Sequence, residues 1–234
     1  MINIELTKKP KSPLIIQGFP GFGLVGTIAT EFLINHLETE IIGKFWFEEM
    51  PAAVAIHKGK LVPPIEVHYN KKNNLLIVHA LAAPVGIEWK MSDLIMKLAD
   101  ELKSKEIISL EGIGAESDTN KTYYYSTKTS NLTKLKSVAE PINESIILGV
   151  TGALLLKEKD VPISAFFVET ASNFPDSKAA AKMITLLDKY LGLNVDPKPL
   201  LKTAKDFEEK LKGILNQSKK ALDESKEKRQ DYFG

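Results

Sequence analysis

The sequence contains no cysteine, which removes disulfides, thiolate metal sites and thiol nucleophiles and fits a reducing interior. It has almost no net charge. With 31 basic and 30 acidic residues the formal balance is +1, so no broad cationic field is available for a phosphate backbone and nucleic acid is not an expected partner. Long apolar runs are also missing: the longest fall far short of the roughly 18 residues a bilayer span needs. The opening MINIELTKKPKSP is charged and lacks the apolar stretch of a signal peptide. These absences predict a cytoplasmic protein without a membrane partner. What is present, 44% hydrophobic and 26% charged residues over a length of 234, suffices for one large α/β domain or a domain with an appendage.

The first half alternates short β-rich runs with helical patterns, which argues for an α/β layer architecture, a mixed sheet flanked by helices. A first strand is expected at 14–17, then a helix whose buried face carries Ile28, Phe32, Leu33 and Leu37. Four β-like runs follow at 41–47, 53–57, 65–69 and 75–80; the polar breaks at Lys58-Gly59 and between Asn70 and Asn74 predict an antiparallel meander. The spacing of Trp89, Leu94, Ile95, Leu98 and Leu102 predicts a helix over 87–102, and a strand at 107–110 should end in a loop junction, Glu111-Gly112-Ile113-Gly114. Further on, strands are expected at 122–126 and 163–168, a short helix at 149–159, and a helix over 179–191 capped by Gly192. This predicts a globular domain over 1–196. After it, Leu200, Ala204, Phe207, Leu211 and Ile214 form a narrow apolar seam, read as a C-terminal helical extension over 197–222. Residues 223–234 read as a flexible charged tail.

Residues 18–26, GFPGFGLVG, contain a literal G-x-G-x-x-G between an expected strand and an expected helix. A dinucleotide fold would add a second parallel strand–helix pair and an acid on the ribose. Glu48 and Glu49 stand near the right distance, but the apparent meander replaces the second pair, and Pro20 intrudes before the fingerprint. Gly18, Gly21, Gly23 and Gly26 are therefore read as a structural loop that lets helix and sheet approach closely, with nucleotide binding as the alternative.

Other candidates are sparse. His57, His68 and His79 lie on three β-like runs without a further ligand at metal-site spacing, and Tyr123-Tyr124-Tyr125 alternates faces of one strand, so β-propensity explains it. Ser92, Asp93, Glu111 and Asp176 read as scattered polar residues with no partner base. No catalytic constellation, metal site or cofactor is expected. The chain ends differently: Tyr232-Phe233-Gly234 sets two aromatics beside a terminal carboxylate at the end of a polar stalk, the makings of a docking peptide.

GFPGFGLVG, Glu111-Gly112-Ile113-Gly114, Gly149-Val150-Thr151-Gly152-Ala153-Leu154-Leu155, the Pro175-Asp176 step before Ala179-Ala180 and the Val195-Asp196 step together resemble the archaeal proteasome assembly chaperone family, from about Leu14 to Phe207. The resemblance implies a fold like that of nucleoside phosphorylases without their catalytic residues, a homo-oligomer, and binding to the proteasome α-ring. Some members carry a hydrophobic-Tyr-X tail. Here Tyr232 takes the hydrophobic place, Phe233 the tyrosine place without its hydroxyl, and Gly234 the variable one. Two function classes result, a non-catalytic proteasome-binding chaperone and, as the alternative, a nucleotide- or nucleoside-handling enzyme.

Overall fold

The computed structural model describes residues 2–47, 54–57, 59–80, 86–115, 120–128, 131–157, 161–171, 174–202, 209 and 213. In chain order the elements are β1 (Ile2–Leu6), β2 (Leu14–Gly18), a 3₁₀ turn at Phe22–Leu24, α1 (Val25–His36), β3 (Thr39–Phe47), β4 (Ala55–His57), β5 (Lys60–Val62), β6 (Ile65–Asn70), β7 (Leu75–Ala80) and α2 (Glu88–Leu102). There follow β8 (Glu106–Gly114), β9 (Thr122–Ser126), α3 (Leu132–Lys136), β10 (Glu140–Pro141), α4 (Gly149–Leu156), β11 (Ile163–Thr170), α5 (Ser177–Leu191) and α6 (Lys198–Lys202). Among the described residues nine strands form one mixed sheet in the order β1-β3-β6-β7-β2-β8-β11-β9-β10, while β4 and β5 pair separately. Its centre, β7-β2-β8-β11, is parallel. On one side β6, β3 and β1 continue it antiparallel; on the other β9 runs antiparallel to β11 and β10 parallel to β9.

Successive residues of a strand face opposite sides, and the central strands are apolar on both. Ile16, Ile77, Ile108, Leu110 and Phe166 pack with α1 and α5 in one core. Ile15, Leu76, Val78, Ile107 and Ile163 pack with α2 and α4 in the other. Burying a side chain of this kind contributes roughly 1.5–3 kcal/mol, so two full layers are what fix the sheet. Helix α5 starts where the Asp176 carboxylate accepts from the Ala179 N–H at 2.9 Å and stops at Gly192, whose φ of 70° takes the left-handed cap.

Three expectations need correction. The stretch from 41 to 80 is not a simple meander: β4 and β5 leave the main sheet, and β7, antiparallel to β6 on one edge, lies parallel to β2 on the other. Consequently β7-α2-β8 is a parallel crossover, the strand–helix pair the sequence reading counts as missing. The strand at 107–110 extends to Gly114, because β11 pairs with every residue from Ile107 to Gly114 and holds Glu111-Gly112-Ile113-Gly114 in the sheet. Finally, the first strand is β1 rather than β2; its Ile-Asn-Ile-Glu-Leu alternation suits an edge. Of the extension, α6 with its buried Leu200 is described; Ala204, Phe207, Leu211, Ile214 and the tail from 223 onward lie outside the described residues.

Candidate functional site

Ligands of open α/β sheets bind beyond the carboxyl ends of the parallel strands. At that end here, the β2–α1 loop, the last residues of β8, the first turn of α2 and the segment entering α4 border an open cavity of about 590 Å³. The loop takes its path from its glycines. A Cβ at Gly18 would collide with the Gly26 carbonyl, so strand and helix cross in contact; Gly23, at φ 61°, turns the chain. The Gly23 carbonyl accepts from the Asp176 N–H at 2.8 Å, tying the turn to the start of α5. Gly21 is different: a Cβ there would strike the Glu111 carboxylate.

Glu111 closes a buried polar chain. Thr151 Oγ1 donates to its Oε2 at 2.8 Å, Thr151 and Ser109 hydroxyls stand 2.7 Å apart, and the Gln17 amide donates to Ser109 Oγ. Gln17, Ser109 and Thr151 are fully buried. Burial pushes the Glu111 carboxyl up to about 7, against the opposing pull of the Thr151 hydrogen bond. The register makes this cluster: Gln17 lies opposite Ser109 across β2 and β8, and Glu111 follows Ser109 on the same face, under Thr151 of α4.

The four loop glycines thus converge on the β2–α1 junction, while Tyr232, Phe233 and Gly234 lie outside the described residues. The loop's polar neighbours are acidic. Glu111 lies against Gly21, and Asp176, accepting from Thr170 Oγ1 at 2.7 Å, lies against Gly23, an arrangement that repels phosphate. His68 and His79 sit on neighbouring strands with separate partners: His68 Nε2 lies 2.9 Å from Glu66, and His79 Nδ1 lies 2.8 Å from Thr30 Oγ1. Among the described residues no cluster of three potential metal ligands occurs. Tyr124 is buried while Tyr125 is exposed, and Tyr123 donates to Glu169 at 2.8 Å. From the sequence Glu111 reads as a scattered polar residue and Thr151 only as part of a family motif, while Ser109 and Gln17 draw no notice. The available signal was a glutamate directly after the apolar run Ile107-Ile108-Ser109-Leu110.

The sequence profile of the PAC2 family matches residues 15–215. The uncharacterised protein MJ0106 of Methanocaldococcus jannaschii is 30% identical over 225 residues, spanning 95% of this chain and 94% of that protein. Among solved structures, Pyrococcus furiosus PbaA, described as an archaeal homologue of proteasome-assembly chaperone, is similar at a TM-score of 0.85 and 29% identity, over 95% of this chain and 100% of that one. Pyrococcus furiosus PbaB, described as an archaeal proteasome activator, is similar at a TM-score of 0.75 and 23% identity, over 91% and 98% of the two chains; at that identity the likeness is one of fold.

Proposed function

The chain belongs to the PAC2 family, and on that premise we propose that it is a non-catalytic proteasome assembly chaperone or proteasome-binding factor that docks on the α-ring through Tyr232-Phe233-Gly234. The end-to-end likeness to PbaA carries the reading. The tail chemistry supports it. Burying a Tyr and a Phe yields a gross gain of roughly 2 to 3 kcal/mol each, offset by ordering the stalk, so one tail binds weakly and several on one homo-oligomer bind well. The seam from Leu200 to Ile214 is the proposed helical contact between copies. The same reading places the protein in the cytoplasm, takes Gly18, Gly21, Gly23 and Gly26 as a packing loop, and keeps the nucleoside phosphorylase likeness as a relation of layers rather than of chemistry. Among the described residues no helix is long and apolar enough to cross a membrane.

A pulldown on recombinant archaeal α-ring, comparing the intact chain with one lacking its last three residues, tests the docking. The intact chain should be retained and the truncated one lost, and Phe233→Ala should weaken retention by roughly 1 to 3 kcal/mol, the range of a buried aromatic anchor. Equal retention of intact and truncated chains at the same salt would place the contact on the globular body instead.

A further inference from the structure

Counting protons along the polar chain gives it a direction. Thr151 has one hydroxyl proton and donates it to Glu111 Oε2, so the 2.7 Å contact with Ser109 must use the proton of Ser109. Ser109 in turn accepts from the Gln17 amide, whose Oε1 has no partner among the described residues. Every proton therefore points toward Glu111 Oε2, while Oε1, the oxygen a Cβ on Gly21 would strike, receives none of them; Gly21 and Glu111 both line the cavity. The cavity walls are otherwise mainly apolar, with Phe19, Phe22, Ile87, Met91, Ile113 and Leu148 among them.

The sign of the charge selects the ligand. Among the described residues the lining includes Glu88 and Glu111 and no Lys, Arg or His. Two helix N-termini reach the cavity and by themselves would favour an anion, but each has a carboxylate beside it that offsets its positive end. Glu88 lies in the first turn of α2 and accepts from the Gly86 N–H at 3.1 Å, while Glu111 accepts from Thr151 in the first turn of α4. Of the other charged groups nearby, Asp176 is engaged by Thr170 and the Ala179 N–H, and Lys157 pairs with Asp93 outside the lining. A volume of about 590 Å³ is that of a small-molecule site.

We propose that this cavity binds a small organic cation, an ammonium group on an apolar body, with the ammonium donating to Glu111 Oε1 and the body lying against Phe22, Met91 and Leu148. Because burial holds the Glu111 carboxyl at about 7, it is half protonated at neutral pH, and a bound cation displaces that proton to solvent.

The test uses the full chain and three probes of one shape, 2-phenylethylamine, 2-phenylethanol and 3-phenylpropionate, titrated by calorimetry from pH 5.5 to 8.5. The amine should bind in the millimolar range or tighter and at least tenfold more tightly than either isostere. Its affinity should rise about tenfold per pH unit below 7 and level off above. Near pH 7 about half a proton should be released per amine bound, read from buffers of different ionisation enthalpy. Glu111→Gln, close to isosteric, should remove the pH dependence and weaken binding at pH 8 at least tenfold. Phe22→Ala, at a side chain 44% exposed and therefore tolerant of truncation, should weaken it with the pH dependence intact. Equal binding of alcohol or carboxylate, amine affinity indifferent to Glu111→Gln, or no amine binding at 10 mM and pH 8 would each overturn the proposal.

Discussion

Strand β8 carries two glutamates five residues apart, on opposite faces of the sheet. Glu106 lies on the α5 side, 5% exposed, and its carboxylate is enclosed by donors: Ser164 Oγ at 2.5 Å and the Tyr190 hydroxyl at 2.9 and 3.1 Å from its two oxygens. Burial, and then the neighbouring Glu106 charge, push the Tyr190 phenol well above its usual range, so it stays a donor. Glu111 lies on the α4 side, takes one hydroxyl from Thr151, and borders a cavity. A buried carboxylate costs stability unless its lone pairs are met. At Glu106 the surroundings commit two hydroxyl donors, one of them shared between both oxygens, and the result is a structural post between β8, β11 and α5. At Glu111 they commit one, and the remainder is available for binding. The number of committed donors, together with the fuller burial of Glu106, separates the two roles.

The comparison can be broken first at its closed end. Glu106→Ala removes a filled network, leaves the Tyr190 hydroxyl without its acceptor and opens a cavity; unfolding by urea should show a loss of roughly 3 to 5 kcal/mol. A loss under about 1 kcal/mol would mean that the network is not a post.

At the open end the effect has the opposite sign and depends on pH. The Glu111 carboxyl is raised from 4.5 to about 7 by burial, so between those values the folded chain binds more protons than the unfolded one and stability falls as pH rises. At pH 4.5 and below no cost is present; the cost then grows by about 1.4 kcal/mol for each pH unit and above pH 8 reaches up to about 3 kcal/mol. Glu111→Gln should therefore match the parent at pH 4.5 and exceed it by that amount at pH 8. Parallel stability curves across this range would show that Glu111 ionises as it does in water.

Tyr190→Phe sharpens the closed end with a smaller expected effect. It deletes the donor and keeps the ring against Phe166, whose centroid is 5.2 Å away. A hydrogen bond to a charged group contributes roughly 1.5 to 3 kcal/mol, and thermal melting should show a loss near the lower figure if Ser164 continues to donate.

Much of this architecture was legible because it is written locally. The Ala-rich run closed by Gly192 marks the body and end of α5, though Asp176, read as a scattered polar residue, proved to be its N-cap, and the apolar stripe of α2 reads directly from its spacing. The open cavity was not legible. Glu111 looks like an isolated acid until pairing of β2 with β8 brings Gln17 within reach of Ser109, 92 residues away in sequence, and α4 lays Thr151 above both. Register across parallel strands leaves no local mark, and the same gap hid the double role of β7. The glycines of 18–26 were legible as a tight turn, but the reason for Gly21 became visible only with the carboxylate beside it.

The strand order also sets a timetable for synthesis. Strand β2, buried on both faces, is synthesised well before its two neighbours, β7 and β8, and the second brings Ser109 to Gln17 only 92 residues later. At translation rates of 5–20 residues per second that is an interval of roughly 5 to 20 s. Throughout it Ile15 and Ile16 have no complete sheet to join. The nascent chain of this PAC2 protein therefore passes through a stage in which its own central strand is open to wrong pairing, and holding factors at the ribosome exit have their greatest opportunity to act before residue 114 emerges.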